Sequence, residues 1–143
     1  MKEKIISLKL AKILKEKGFD VECDLFYVEY LKTNKSDNPS FCSTKGEITL
    51  DRGYFVNNQH SDLSNTNYIC YAACSQALIQ QWLREKYNIQ TYVISHTLRN
   101  DIYSDYCGYI NNSEIHDARD KQFDKYENCM EETLIEAMKL IKK

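Results

Sequence analysis

Tyr71 to Thr97, YAACSQALIQQWLREKYNIQTYVISHT, constrains the fold most, because a helical pattern runs with little break into a strand pattern. Leu78, Ile79, Trp82 and Leu83 recur at three- and four-residue spacing and gather on one face, while Gln80, Gln81, Arg84 and Glu85 face water. Ser75 is the expected N-cap, its hydroxyl accepting the backbone N–H of Leu78. A start nearer Tyr71 is the alternative, since Ala72, Ala73 and Cys74 also tolerate helix. Asn88 suits the left-handed C′ position, and Ile89 to Thr97 is rich in β-branched and aromatic residues. The Trp82 ring follows the apolar stripe and is read as core.

The 143 residues fit a single α+β domain over 1–143. A domain of about 150 residues buries roughly 70% of its unfolded surface, so no disulfide or metal staple is required. A formal net charge of −2 leaves nucleic acid unsupported as a partner. The six cysteines, Cys23, Cys42, Cys70, Cys74, Cys107 and Cys129, are scattered in a chain that can fold without them. Lysines interrupt every apolar run of MKEKIISLKLAKILKEKG, so it reads as neither signal peptide nor membrane span. The expectation is a cytoplasmic protein with reduced thiols and no membrane partner.

In order along the chain, Lys2 to Ile6 is a short extended segment, and Ser7 caps a helix through Lys17 that buries Leu10, Ala11, Ile13 and Leu14 before Gly18 ends it. A start at Lys2 would instead arrange the lysines as a solvated basic surface. Asp24 to Leu31 reads as a strand, and Lys32 to Gly46 as a polar loop. EITL and YFVN are strand-like runs split by Asp51-Arg52-Gly53, either a hairpin or a bulge. Asn58 to Asn67 is a second long polar loop and a candidate contact segment. Leu98 to Ser104 is a turn region, and Asp105 to Asn111 a strand able to pair antiparallel with Ile89 to Thr97, weakened or bulged at Gly108. Asp124 with Glu127 makes a capping box for a last helix with Met130, Leu134, Ala137 and Ile141 on one face.

Few constellations carry chemistry. Cys70-x-x-x-Cys74 lacks the second ligand pair of a structural zinc site, and on a helix the two would share a face, packing as small apolar residues. His60, His96 and His116 stand alone. No GxSxG or phosphate-cradling loop surrounds the four glycines, so no cofactor is implied. Asn111-Asn112-Ser113 matches a glycosylation sequon by chance in an intracellular chain. The eleven tyrosines are the oddity. Tyr87, Tyr92, Tyr103, Tyr106 and Tyr109 cluster around the proposed strand pair, and Tyr92, Tyr103, Tyr106 and Tyr109 make a candidate contact surface.

QALIQQWLREKYNI (Gln76 to Ile89), followed by YENCMEETLIEAMKLI (Tyr126 to Ile141), resembles a family of small proteins encoded by phages and prophages of gut bacteria. Similar proteins open with a capped helix ending in Gly-Phe-Asp, here Ser7 to Asp20, followed by a cysteine and aromatics, here Cys23, Phe26 and Tyr27. Lys32 to Tyr68 falls outside the resemblance, and Cys74 stands where the family places a proline. The resemblance implies a setting, the bacterial host cell, and brings no activity, cofactor or catalytic residue with it.

The expected architecture is helix, strand, strand pair, helix, strand, strand, helix, with a mostly antiparallel sheet covered on one face by the central and C-terminal helices. The expected function is a non-enzymatic accessory role through binding a macromolecule, either a host protein or a second copy in a homodimer. The alternative is a small hydrolase using Cys70, Cys74, Cys107 or Cys129 with a histidine.

Overall fold

The helices begin where the sequence places their caps. In the computed structural model, which describes residues 4–38, 42–57, 67–97, 104–114, 123 and 125–142, Ser7 accepts from Leu10 N at 3.3 Å and opens α1 (Leu8–Glu16). Gly18 then turns the chain at φ +77, where a side chain would be strained. Between them Leu10, Ala11 and Leu14 are buried and Ile13 only partly so. Ser75 accepts from Leu78 N at 3.3 Å and opens α2 (Gln76–Tyr87), which rules out the start near Tyr71, and Asn88 ends it at φ 54. The last helix, α3 (Tyr126–Lys139), departs from expectation. Its N-cap is Lys125, with no side-chain cap bond, and Asp124 lies outside the described residues. Burial supplies what the cap does not, since Met130, Leu134 and Ala137 are all inside and Ile141 follows them there.

The strands form two antiparallel sheets rather than one. In the first, β1 (Cys23–Tyr30) lies between β2 (Ile48–Phe55) and β3 (Tyr68–Ala72). EITL and YFVN belong to one strand, because two steps along β1 from Cys23 to Leu25 span three along β2 from Phe55 to Arg52. The Asp51-Arg52-Gly53 break is therefore a bulge and not a turn. Tyr71 and Ala72, which tolerate helix locally, are strand because β1 pairs with them. Cys70 and Cys74 consequently sit in β3 and the following connection, not on a helix, although both are buried as small packing residues.

In the second sheet β5 (Ser104–Ile110) lies between β4 (Thr91–Thr97) and β6 (Ser113–Glu114). Asn111 and Asn112 hold φ of 48 and 67, the two left-handed residues that a tight hairpin requires, so the sequon residues make the β5–β6 turn. Gly108 is not bulged. Its register with Val93 is regular, and a Cβ there would lie 2.0 Å from Thr133 Oγ1. The glycine allows α3 to lie close on the sheet.

α3 holds the molecule together, touching β4, β5, α1 and α2. Seven of its residues, Cys129, Met130, Thr133, Leu134, Ile135, Ala137 and Met138, are buried. Among the described helices, α3 alone makes extensive contact with the second sheet, whereas α1 packs on β3 of the first and α2 packs on α3. Trp82, 4% exposed, takes edge contacts from Phe19 and Tyr87 and donates to Asp20 Oδ1 at 3.1 Å, as expected of a core ring with a satisfied N–H.

Candidate functional site

Directly opposed residues of an antiparallel ladder share a face, so the β4–β5 register sorts the tyrosines. Thr91 opposite Ile110, Val93 opposite Gly108 and Ser95 opposite Tyr106 lie on the face that Gly108 turns to α3. Tyr106 accordingly packs with Phe123 and Cys129 and makes an edge contact with Tyr126 at 6.2 Å. Tyr92 opposite Tyr109 and Ile94 opposite Cys107 lie on the other face. There the Tyr92 and Tyr109 rings stack at 5.1 Å and 3° between planes, and the Tyr92 hydroxyl bonds Asn112 Oδ1 at 3.1 Å. Beside them Ile94 is 42% exposed, and Cys107 is half-buried.

The structure thus brings Tyr92 and Tyr109 together and sends Tyr106 to the core side. Tyr103 lies outside the described residues, as do His60, His116 and most of the 58–67 loop. His96 stands opposite Asp105 in the ladder.

The cysteines named for a hydrolase are poorly placed for nucleophilic work. Cys70, Cys74 and Cys129 are buried, and only Cys107 is partly open. Contact with Cys23 and burial hold the Cys74 thiol far above its ordinary range, and burial pushes Cys129 up to about 11. A thiolate nucleophile needs the opposite shift. Among the described residues, no group of three or more His, Cys, Asp or Glu could hold a metal ion.

One arrangement escaped sequence reading. Ile6 N donates to Cys74 O at 3.1 Å, and Ile5 bridges Ser75, so the N-terminal ends of α1 and α2 lie side by side. Glu131 of α3 reaches both. Its Oε1 accepts from Ser7 N at 3.0 Å and from the Ser7 hydroxyl, and its Oε2 accepts from Gln76 Nε2 at 3.3 Å. A carboxylate is favoured there because two helix dipoles present their positive ends. It lines a groove of about 330 Å³ with Lys4, Tyr27 and Asn128. Burial, then the Glu131 charge, raises the Tyr27 phenol above its usual range, and the hydroxyl donates to Ile6 O at 2.7 Å. With its oxygens engaged, Glu131 acts as a clamp between helices. Nothing in the spacing of Glu127, Glu131 and Glu132 marks it out, because its partners are more than fifty residues away.

The chain matches no family model, no curated protein and no solved structure. The stacked tyrosine face and the buried thiols are therefore the observations that bear on function. Among the described residues no helix is long and apolar enough to cross a membrane.

Proposed function

We propose that this protein is a non-enzymatic binding protein whose contact surface is the face of the second sheet turned away from α3. The observation that carries this reading is the stacked Tyr92–Tyr109 pair beside exposed Ile94. Tyrosine offers a large ring with a polar tip, and two of them held in register lose little conformational freedom when a partner arrives. The resemblance to phage-encoded proteins supplies the setting, a cytoplasmic accessory role in a bacterial host. The favoured partner is a host protein. Burial of Cys70, Cys74 and Cys129 weighs against the hydrolase reading.

Capture from infected host cells tests the reading. The wild-type chain should retain one defined protein, and a Tyr92→Ser/Tyr109→Ser variant with an unchanged melting curve should lose it. Equal retention by the folded variant would remove the tyrosine face from the account. Hydrolysis abolished by Cys107→Ala would replace it with the thiol enzyme.

A further inference from the structure

Among the described residues the two sheets have four edges, and three of them are guarded. The β3 edge is covered, since Lys15 Nζ donates to Cys70 O at 2.9 Å and Asn57 Oδ1 accepts from Ala72 N at 3.1 Å. β2 carries Asp51 and Arg52 and a bulge, the usual devices against edge pairing, and β6 is only two residues long. Among the described residues, the β4 edge is covered only at its first residue, where Thr91 O accepts from Gln80 Nε2 at 2.8 Å. TYVISHT contains no Asp, Glu, Lys, Arg or Pro, and among the described residues only β5 pairs with it.

The hydrogen-bonding direction of that edge follows from two contacts. Gln90 O accepts from Asn111 N at 2.9 Å, so Gln90 points to the β5 side. Thr91 O accepts from Gln80 Nε2 at 2.8 Å, so Thr91 points away from it. Alternate residues of a strand direct their peptide groups the same way, which turns the N–H and C=O of Val93 and Ser95 outward.

We propose that β4 pairs antiparallel with β4 of a second copy of this chain, about a two-fold axis at Ile94, joining two three-stranded sheets into one of six. The sequence is its own complement in that register. Val93 meets Ser95 of the other copy and Ser95 meets Val93, each pair exchanging both hydrogen bonds, which is the isologous pattern of a two-fold interface. Ile94 meets Ile94 at the closely spaced position between them, burying a side chain that is 42% exposed in one copy. Within β4 itself no Asp, Glu, Lys or Arg opposes the approach. The contact is short, so the dimer is weak and concentration-dependent. This inference shares Ile94 with the partner reading but not its test, since Tyr92 and Tyr109 stay on the sheet face and the dimer sets two such pairs side by side.

Sedimentation velocity over a micromolar concentration series tests it. The wild-type mass should rise from 16.9 kDa towards twice that value. Ser95→Pro removes an outward N–H without touching the β5 ladder, and Ile94→Lys opposes like charges at the axis. Each should weaken dimerisation by at least about tenfold, given the two lost hydrogen bonds or the paired charges. Should Ser95→Pro fail to fold, Ile94→Lys decides the matter, with its melting curve as control. A wild-type mass fixed at the monomer value, or a folded Ile94→Lys variant that associates like wild type, would overturn the proposal. Neither result would disturb capture through Tyr92 and Tyr109, so the two readings fail separately.

Discussion

The two faces of the β4–β5 ladder are built from the same strands, one residue apart, and have opposite fates. On one face Val93, Gly108 and Tyr106 meet α3 so closely that a single added methyl at Gly108 would strike Thr133. On the other, Tyr92 and Tyr109 stack on each other half-buried and Ile94 is 42% exposed. A tyrosine's role here is set by parity in the strand, not by its chemistry. Tyr106 and Tyr109 are three residues apart and so fall on opposite faces.

If α3 is what closes the inner face, shortening its most buried side chain should have the largest effect. Leu134→Ala is expected to cost about 2–5 kcal/mol, because Leu134 is fully buried and the cavity would not collapse completely. Urea titration measures it. A loss well below that range would mean that the helix seat is looser than the packing indicates.

The next effect sharpens the same contact. Gly108→Ala should destabilise by about 1–3 kcal/mol through overpacking against Thr133. The nearest obstacle is Thr133 Oγ1, so the cost of the alanine should shrink in a Thr133→Ala background. Additive losses in that double-mutant cycle would show that the helix moves away as a body.

The helices, the caps of α1 and α2 and the β4–β5 pairing were legible in the sequence because each is specified by residues close along the chain. Ser7 and Ser75 bond N–H groups three residues on, and Asn88 needs only its own backbone angle. What escaped was specified at a distance. Tyr68 to Ala72 is strand only because β1 lies beside it, and the division into two sheets depends on which strands pair across long stretches of chain. The face assignment of Tyr92 and Tyr109 was available from strand parity once the register was known. The Asn111-Asn112 turn was available outright, since two consecutive asparagines tolerate positive φ. Glu131 was not, because its role exists only where α1 and α2 meet.

A smaller effect separates the two helix–sheet contacts by their chemistry. α1 is tied to the first sheet through charge, with Lys12 bonding Glu29 at 2.9 Å and Tyr71 donating to the same carboxylate at 2.9 Å. The Lys12 hydrogen bond comes first in holding the Glu29 carboxyl below its usual range, with Tyr71 adding to it. A carboxyl lowered in the folded state stabilises above its unfolded pKa, and that stability is lost as pH falls through the folded value. Acidification below about pH 4 should therefore lower the amide protection factors of α1, measured against the intrinsic exchange rate at each pH, by an amount worth under about 1 kcal/mol for a partly exposed pair. Amides of α3 away from the Glu131 clamp, where the helix lies on the second sheet through apolar contact, should respond less. Glu29→Gln should remove the difference, and an α3 response equal to that of α1 would show that the two contacts are not chemically distinct.

The most direct test places one charge on either side of the same strand. Val93→Asp puts a carboxylate in a partly buried seat against α3 and should cost at least about 2 kcal/mol, whereas Ile94→Asp leaves it largely in water and should cost no more than about 1 kcal/mol. Urea midpoints of the two variants, measured under dilute conditions, decide between the faces. A large loss from Ile94→Asp, or a small one from Val93→Asp, would contradict the division into a core face and a contact face.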